Sequence, residues 1–445
     1  MCDHTTTTPR AEGEGPFAAG AAEITAGRRT LLTAGGGLAF SALAGLGAGE
    51  AAAAAPRRFR DRRAYVLVVD GCLPGEIDGG LTPNLRALRD GGLRWPRATS
   101  LPVMETIPNH VMMMTGVRPD RSGVPANSVY DRRERQVREL DRPSDIKVGT
   151  VIERLNRQGF RTGTVLSKEY LYGIFGGRAT HRWEPAPIIP ISGHAPDVFT
   201  MRAATQMVER FDPHLMFVNL GDIDRFGHTD FTGQTVQVLR RLALAGTDRL
   251  VGDFVAMLKR TGRWRRSVVI VLADHSMDWS RPDRVVSLQS VMDDDPLLAG
   301  KVVIADNGGA DLLYWTGPGD QRARAVTRMR TLAARHPGVL ETHDPRRSRS
   351  LRLGPEVGDV LVYCRAGWRF SDPDPFTSNP IPGNHGHPAT RAIPFFIGGG
   401  HARVRTARRR SSPDQAATID VAPTVASFFG LRGAPRGGYD GTARL

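Results

Sequence analysis

The sequence predicts an α/β protein with a doubly wound sheet and helices on both of its faces. Continuous apolar runs that end in a polar or glycine-rich turn alternate with stretches of helical pattern. Such runs are typical of strands buried on both faces, and their alternation with helices indicates a doubly wound sheet. The chain of 445 residues is long enough for one large domain or for a core with an added subdomain.

Four apolar runs carry the strand prediction. They are 65–69, 215–220, 268–272 and 393–397. Helical patterns lie between or after them, at roughly 82–90, 108–115, 198–210, 235–261 and 416–429. Three of the runs are followed closely by acidic residues: Asp70, Asp222 with Asp224, and Asp274 with His275. Because ligands bind at the carboxyl ends of the strands in such sheets, these side chains predict a binding site there.

The stretch from about 276 to 384 interrupts this regular alternation. It is rich in Arg, Pro and Asp, and it contains β-like pieces at 301–305, 310–315 and 358–364. We interpret it as an inserted cap or side subdomain of a domain that spans 56–445. Residues 401–413 are rich in Arg and Ser and predict a solvated loop.

The first 55 residues have the order of an export signal. The polar stretch 1–27 leads to the twin arginines 28–29, an apolar stretch to about 49, and the small residues 51–55. Positive charge, apolar run and small residues in that order are typical of a signal peptide, and the twin Arg indicates a twin-arginine signal. We therefore expect the protein to be exported by that machinery, with a retained N-terminal anchor as the alternative.

The charge of the chain bears on its possible ligands, and its cysteine content bears on disulfide formation. The net charge is +14, and the basic residues are nearly all Arg. A basic surface can attract phosphate-bearing substrates, although a solvated Arg-rich surface is the simpler interpretation. No nucleic-acid-binding motif is present, so specific nucleic-acid recognition is not predicted. The three cysteines form no CxxC pair; Cys72 and Cys364 are expected as buried thiols, with a disulfide between them as the alternative.

Carboxylates and imidazoles are concentrated at the predicted strand ends and in one glycine-rich loop. They are Asp70, Asp224, His228, Asp274, His275 and His385. Asp224 and His228 are four residues apart, and we expect them to lie in a turn where both can bind one ion. The glycines around His385 are expected to let the backbone approach the site closely. Each of these signals is weak alone. As a set in this order, they are the ligand types that metal-dependent hydrolases gather from several loops.

Thr106 is the candidate nucleophile. It precedes Ile107 and Pro108, and proline is favoured in the first turn of a helix. Thr106 is therefore expected at a helix N-terminus, where backbone amides and the helix dipole favour an anionic phosphoryl group. A free threonine hydroxyl is a poor nucleophile, but a metal ion can activate it. A simple helix-capping role for Thr106 is the alternative.

Taken together, these segments resemble the alkaline phosphatase superfamily, and within it the type I phosphodiesterase / nucleotide pyrophosphatase branch. The resemblance runs from about residue 64 to 432, and its closing part is the 419–431 segment. The segments that carry it are Asp70 after the first strand, Thr106-Ile-Pro-Asn-His110, Thr115-Gly116-x-x-Pro119, Asn127-Ser-x-Tyr-Asp131, Asp224-x-x-x-His228, Asp274-His275 and His385-Gly386.

The resemblance implies an alkaline-phosphatase-like catalytic domain with two divalent metal ions. Asp and His ligands suit zinc, and manganese and iron are the alternatives. By this resemblance, one ion is bound by Asp70, Thr106, Asp274 and His275. The second ion is bound by Asp224, His228 and His385. Asn127 would donate to a non-bridging phosphate oxygen. Thr106 would attack phosphorus and form a phospho-threonine that water then hydrolyses.

Departures from the family pattern bear on the substrate. Ile107 and Asn219 stand where related nucleotide pyrophosphatases often carry aromatic residues that hold the base, so base stacking is not predicted. Ser167-Lys168-Glu169-Tyr170 resembles a stretch of monoesterases and phosphonoacetate hydrolases in which a lysine contacts the anionic end of the substrate. Lys168 is therefore a candidate substrate-binding residue, with a surface lysine as the alternative.

The leading functional prediction is an exported hydrolase of phosphodiester or pyrophosphate bonds in a small phosphorylated substrate. A phosphomonoesterase or phosphonoacetate-type hydrolase on the same core is the first alternative, which Lys168 favours. A sulfatase is disfavoured because the chain has no C-x-P-x-R motif. A non-catalytic exported binding protein is the third interpretation, and the complete ligand set argues against it. No feature of the sequence predicts the oligomeric state.

Overall fold

The structure is a computed structural model that describes residues 25–26, 57–186, 193–231, 236–373, 381–408 and 414–445. The predicted export signal at 1–55 therefore lies outside the described residues, apart from Thr25–Ala26. Within the described part of the chain, no helix is long and apolar enough to cross a membrane. Cys72 and Cys364 are both buried free thiols, as expected from the sequence.

The described strands and helices are numbered here in chain order. The strands are β1 Thr25–Ala26, β2 Arg63–Val69, β3 Leu93–Arg94, β4 Arg97–Thr99, β5 Ser128–Asp131, β6 Gln136–Glu139, β7 Thr162–Val165, β8 His181–Trp183, β9 Leu215–Leu220, β10 Ser267–Leu272, β11 Asp278–Trp279, β12 Val285–Val286, β13 Val302–Asn307, β14 Ala310–Trp315, β15 Val339–His343, β16 Val360–Cys364, β17 Arg369–Phe370, β18 Gly383–Asn384, β19 Phe395–Gly398 and β20 Gln415–Ala417. The α-helices are α1 Arg57–Arg60, α2 Pro83–Asp90, α3 Thr106–Thr115, α4 Pro119–Ser122, α5 Val151–Arg157, α6 Glu169–Phe175, α7 Asp197–Phe211, α8 Asp222–Thr229, α9 Val238–Arg260, α10 Leu288–Asp293, α11 Arg322–Arg335, α12 Ala402–Arg408 and α13 Val421–Phe429.

The main sheet has the strand order β1-β8-β7-β9-β2-β10-β19-β3. Its five middle strands, from β8 to β10, run parallel, whereas β1, β19 and β3 pair antiparallel with their neighbours. The predicted doubly wound α/β fold is thus confirmed, with a mixed sheet. β1 falls inside the predicted signal segment and pairs with β8 at one edge.

Helices cover both faces of this sheet, which explains why β2 is buried along its whole length. On one face, Tyr65 of β2 packs edge-on against Phe254 of α9, with ring centroids 5.4 Å apart. On the other face, Phe217 of β9 lies 5.9 Å from Phe175 of α6. Tyr65 and Phe217 belong to successive register positions of paired strands, so they point to opposite faces.

A second sheet lies within the stretch interpreted from sequence as a cap. Its order is β13-β14-β16-β15, and all three pairings are antiparallel. Together with α10 and α11 it encloses an apolar cluster of its own, which includes Met292, Leu313, Met329 and Phe370. The β-like pieces predicted at 301–305, 310–315 and 358–364 are three of its strands.

Two local predictions are wrong. Residues 402–408 form the helix α12 rather than a loop, because Val404 has a buried site to occupy; 409–413 lie outside the described residues. The helical pattern that begins at 416 starts instead with β20, which pairs parallel with β4, and the helix α13 begins at Val421. In both places a tertiary contact decides the local structure.

Candidate active site

The predicted metal ligands come together at the carboxyl ends of β2, β9 and β10, three adjacent parallel strands. Two groups of ligand atoms converge there among the described residues, and within each group the atoms lie within 4.8 Å of one another. The inner group is Asp70, Asp224 and His275, and the outer group is Asp224, His228 and His385. Asp224 belongs to both groups, so the two positions are adjacent.

Asp70 is the residue that follows β2, and it is fully buried. Its Oδ2 accepts a hydrogen bond from the amide of Asn219 at 2.8 Å. Gly71, the next residue, has φ of +71°, and a Cβ there would lie 3.0 Å from Cβ of Asp224. Glycine at this position therefore allows the chain to turn sharply and brings Asp224 close to Asp70.

Asp224 and His228 lie on helix α8, not in the turn predicted from sequence. One helical turn places both side chains on the same face, and His228 Nε2 is 3.4 Å from Asp224 Oδ1. The segment forms a helix because it begins directly after β9 and packs along α9. A helix fixes the spacing between the two ligands more tightly than a turn would.

Asp274 and His275 follow β10 and are fully buried. His275 Nε2 lies 3.7 Å from Asp70 Oδ1 and 3.7 Å from Asp274 Oδ2. Asp274 Oδ1 accepts hydrogen bonds from the backbone amides of Gly71 and His275, at 3.3 and 3.1 Å. The carboxylate of Asp274 is thus fixed by the β2 and β10 loops and keeps Oδ2 for the site.

His385 reaches the site from the loop after β18, and glycines on both sides permit this approach. A Cβ on Gly383 would lie 2.4 Å from Cα of His228. Gly386 has φ of +101°, and a Cβ there would lie 2.5 Å from the carbonyl oxygen of Asn307. Only glycine fits where the backbone passes this close to its neighbours.

The three histidines present the same atom to the site. Each ring holds a partner outside the cluster through Nδ1: His228 donates to the Gly383 carbonyl at 2.8 Å, and His275 donates to the Ser276 carbonyl at 3.0 Å. His385 Nδ1 is 2.8 Å from Glu105 Oε1. All three rings therefore aim Nε2 inward, and such outer hydrogen bonds are what orients metal-ligating imidazoles.

The chemistry of this donor set fits divalent metal ions. One oxygen on each of three buried carboxylates has no hydrogen-bond partner: Asp70 Oδ1, Asp224 Oδ1 and Asp274 Oδ2. A buried carboxylate oxygen without a donor is costly unless a cation satisfies it. Inward-facing imidazole nitrogens and unpartnered carboxylate oxygens are ligands that zinc accepts.

Thr106 is the first residue of α3, as the sequence predicted, and Glu105 is its N-cap. Thr106 is 1% exposed, and its hydroxyl lies 3.1 Å from His275 Nε2, so it borders the inner group. The backbone N–H of Ile107 is donated to Asn127 Oδ1 and Pro108 has no N–H, so it is the dipole of α3 that favours a negatively charged group beside the hydroxyl.

Lys168 is fully buried between the two ligand groups rather than on the surface. Its ammonium lies 2.8 Å from Asp70 Oδ2 and 2.6 Å from Asp224 Oδ2. Lys168 therefore contacts Oδ2 of both aspartates, and the unpartnered atoms are the other oxygens, Asp70 Oδ1 and Asp224 Oδ1. Its predicted contact with the substrate stays a prediction, since both visible partners are carboxylates of the site.

Burial and neighbouring charges shift the pKa values of Asp70, Asp224 and His275 in different directions. Burial raises the pKa of Asp70, and the neighbouring Asp274 adds to this. Burial also acts to raise the pKa of Asp224, but the Lys168 ammonium together with His228 and His385 outweighs it, and that pKa lies well below its usual range. Burial lowers the pKa of His275 well below its usual value, so this ring is neutral and able to ligate a metal.

Asn127 lies beside Thr106 and is held by both neighbours of that residue. Its Oδ1 accepts from the Ile107 backbone amide at 2.8 Å, and its Nδ2 donates to Glu105 Oε2 at 2.6 Å. An amide Nδ2 carries two hydrogens, so one remains for a phosphate oxygen. The predicted phosphate contact of Asn127 stays a prediction.

Glu105 was not predicted as a site residue. It joins Asn127 to His385, and although burial acts against it, Glu105 raises the pKa of His385 to about 9. The only sequence signal was its position directly before Thr106. Asn219, noted from sequence only as lacking an aromatic ring, hydrogen-bonds Asp70 and accepts from Ser167 at 2.6 Å.

The sheet edge, the converging ligand groups and the hydroxyl at a helix N-terminus are those of a metal-dependent, alkaline-phosphatase-like hydrolase. Comparison with known families gives the narrower assignment. The model of the type I phosphodiesterase / nucleotide pyrophosphatase family matches residues 64–387. The chain belongs to this family, and it is a hydrolase of the phosphodiesterase / nucleotide pyrophosphatase type.

Curated relatives are distant but cover most of the chain. The human ectonucleotide pyrophosphatase/phosphodiesterase family member 5 is 23% identical over 374 residues, which are 80% of this chain and 72% of that protein. A bis(5'-adenosyl)-triphosphatase of Xenopus laevis is 22% identical over 367 residues, which are 80% of this chain and 75% of that protein.

Solved structures show the same fold. Murine ectonucleotide pyrophosphatase/phosphodiesterase 5 matches with a TM-score of 0.66 at 16% identity, covering 86% of this chain and 98% of that one. Phosphonoacetate hydrolase from Sinorhizobium meliloti 1021, in complex with phosphonoformate, matches with a TM-score of 0.64 at 17% identity, covering 84% and 97%. An inactive threonine-to-alanine variant of the murine protein, in complex with AMP, also matches, with a TM-score of 0.66 at 16% identity and coverage of 86% of this chain and 97% of that one.

Proposed function

We propose that this protein hydrolyses phosphodiester or pyrophosphate bonds with two divalent metal ions, zinc in preference to others, and with Thr106 as nucleophile. The observation that carries the proposal is the convergence of three unpartnered carboxylate oxygens and three inward-facing imidazole nitrogens beside the Thr106 hydroxyl. In the proposed centre, Asp70, Thr106, Asp274 and His275 hold one ion, and Asp224, His228 and His385 hold the other. Bound metal ions would supply Lewis-acid activation of the hydroxyl and stabilise negative charge.

The protein's own groups account for the remaining chemistry. The Thr106 oxygen attacks phosphorus, the bond from phosphorus to the leaving oxygen breaks, and a phospho-threonine forms. Water then hydrolyses the phospho-threonine and releases phosphate or a phosphomonoester. The second N–H of the Asn127 amide and the dipole of α3 would stabilise the phosphoryl oxygens. The inactive threonine-to-alanine variant of the murine relative supports an essential threonine in this fold.

Lys168 has a different proposed task from the one predicted. Because it contacts Asp70 and Asp224 at once, one carboxylate of each ligand group, it fixes both with their second oxygen turned inward. We assign it as a positioning residue that couples the two metal positions. A direct contact with the substrate's anionic end, as the monoesterase and phosphonate alternatives require, would have to coexist with these two ion pairs.

Small phosphorylated compounds are the proposed substrates, and a nucleotide is one candidate, since the murine relative is known in complex with AMP. Base stacking by an aromatic residue next to the nucleophile is not part of the proposal, because Ile107 is fully buried and Asn219 hydrogen-bonds Asp70. Export through a twin-arginine signal at 1–55 is proposed from the sequence order. Cleavage after that segment would remove β1 from the edge of the main sheet.

Paired kinetics on the zinc-loaded protein test the proposal. We expect hydrolysis of bis-p-nitrophenyl phosphate and p-nitrophenyl thymidine monophosphate to exceed that of p-nitrophenyl phosphate, and a chelator to abolish all three. A preference for the monoester would transfer support to the phosphatase alternative. Absence of hydrolysis of all three, in protein shown to bind zinc, would support the non-catalytic binding protein and contradict the proposal.

A further inference from the structure

Arg225 is a cation beside the candidate site that the chemistry above does not use. It follows Asp224 on helix α8, and its guanidinium carbon lies 5.8 Å from the centre of the Tyr170 ring. The Lys168 ammonium lies 5.9 Å from the same ring centre. The Tyr170 ring is therefore shared by the lysine that holds the two aspartates and by Arg225.

The hydrogen-bonding state of Arg225 differs from that of a buried arginine nearby. Arg240 is fully buried and donates to Glu76 and to the carbonyls of Gly71 and Ile223. Arg225 Nε is buried and has no hydrogen-bond partner, and no carboxylate of the described residues lies within 4.0 Å of its guanidinium. A buried Nε–H without an acceptor is costly, and an anionic ligand at the guanidinium would remove that cost.

The geometry points to Arg225, supported by Tyr170, as the residue that binds a second anionic group of the substrate next to the scissile phosphoryl group. This inference rests on the proposed function and assigns a specificity-determining residue to that same site. A guanidinium offers a planar fork that matches two oxygens of a phosphate or a carboxylate. The Tyr170 ring below it holds its plane through a cation–π contact.

Lys168 is the alternative cation for this task, and its contacts argue against it. Its ammonium has two carboxylate partners at 2.6 and 2.8 Å, whereas the Arg225 guanidinium has no carboxylate partner among the residues that the structure describes. The substrates favoured by this arrangement carry two adjacent anionic groups, such as a pyrophosphate or a phosphonate with a carboxylate. A phosphodiester with two uncharged arms would leave Arg225 without a partner.

Calorimetric binding to the zinc-loaded protein tests the inference directly and does not depend on turnover. Pyrophosphate is compared with phosphate, and phosphonoacetate with methylphosphonate, so each pair differs by one anionic group. We expect the two-anion probe of at least one pair to bind more tightly. Arg225→Ala should reduce that advantage by about tenfold to a hundredfold, and Arg225→Lys by less, because a lysine keeps the charge and loses the fork. Arg202→Ala, which removes an exposed arginine of α7, should leave the advantage unchanged.

The outcomes separate the possible explanations. An advantage confined to pyrophosphate identifies a second phosphate as the ligand, and one confined to phosphonoacetate identifies a carboxylate. If a probe removes zinc from the protein, the apparent binding advantage should change equally in wild type and in Arg225→Ala. If Arg225→Ala does not fold, Arg225→Gln takes its place. Equal advantages in wild type and the Arg225 variant, or no advantage in wild type, would overturn the inference. Absence of hydrolysis of all three nitrophenyl substrates by the zinc-loaded protein would instead contradict the proposed function.

Discussion

Two clusters of three aspartates lie in this molecule, and they differ in what surrounds them. At the candidate site, Asp70, Asp224 and Asp274 lie with Lys168 and three histidines. In the second sheet, Asp306 and Asp311 are cross-strand partners of β13 and β14, and Asp306 accepts from the backbone amide of Asp372 at 3.3 Å. Among the described residues, this second cluster does not form a group of converging metal ligands.

The surroundings decide the protonation state. Lys168, with His228 and His385, keeps the pKa of Asp224 well below its usual range although burial opposes it. Burial raises the pKa of Asp306 to about 7 and that of Asp311 well above its usual value, and Asp372 adds to both effects. The carboxylate of Asp224 therefore stays anionic and can bind cations, whereas Asp306 and Asp311 relieve their charge by taking up protons. Residue type alone therefore does not identify a metal site.

The largest expected effect comes from removing the proposed nucleophile of the first cluster. Thr106→Ala should lower kcat for bis-p-nitrophenyl phosphate by on the order of a thousandfold or more, because the attacking oxygen is absent. Zinc content should not fall to zero, since six of the seven proposed ligands remain. Steady-state kinetics and metal analysis check this. Thr106→Ser, which keeps a hydroxyl, should retain part of the activity; wild-type kcat in the alanine variant would refute the assignment.

The shared position of Asp224 predicts different metal losses from two single substitutions. Asp224→Ala should lose the outer ion and also weaken binding of the inner one, because its carboxylate also converges with Asp70 and His275, whereas His228→Ala should lose only the outer ion. Zinc-to-protein ratios after dialysis measure this. Asp306→Asn, in the second cluster, is the control and should leave the ratio at the wild-type value. Equal losses in the Asp224 and His228 variants would mean that the two groups do not bind separate ions.

Removing the cation that sets the first cluster apart should destabilise the fold. Lys168→Met leaves Asp70 and Asp224 buried without their ammonium partner, and breaking a buried ion pair in this way costs about 3–5 kcal/mol of unfolding free energy. Urea unfolding in chelator measures the loss, and we expect a smaller loss in excess zinc. Lys147→Met, on an exposed lysine, serves as the control. A loss as small as that of the control would contradict the proposed positioning role.

The second cluster predicts the smallest effect, and it depends on pH. A carboxyl group whose pKa is raised in the folded state stabilises fully below the unfolded value, and this stabilisation is lost as pH rises through the folded value. For Asp306 that window runs from 3.8 to about 7. Asp311→Asn places an uncharged amide donor toward Asp372, so it should raise the unfolding free energy at pH 8 by about 1–3 kcal/mol relative to wild type.

Urea unfolding of wild type and Asp311→Asn at pH 5 and pH 8 tests this sign. The advantage of the asparagine variant should be present at pH 8 and be much smaller at pH 5, where the wild-type carboxyl is protonated. Asp294→Asn, on an exposed aspartate, should show no such pH-dependent difference. A stabilisation that is equal at both pH values would show that Asp311 is not protonated in the folded protein at pH 5.

Much of the architecture could be predicted because it depends on local sequence patterns, such as apolar runs and helix-start residues. The run 65–69 and the run 268–272 are strands of the main sheet, and Thr106 begins a helix, as Pro108 indicated. The wrong predictions concern segments whose structure depends on a distant contact. The Asp224–His228 segment is a helix that packs on α9, and the pattern from 416 begins with a strand that pairs with residues 97–99.

The sequence by itself determined the fold class and the family, and it placed the candidate ligands and nucleophile at strand ends and a helix N-terminus, because strand periodicity, capping and motif order are local properties. Only the tertiary structure decided which groups surround Lys168, Glu105 and Arg225. Lys168 meets Asp224 across 56 positions of the chain, and Glu105 meets His385 across 280. Which charges are paired, and which are left free for a ligand, depends on such long-range contacts, and no local pattern encodes them.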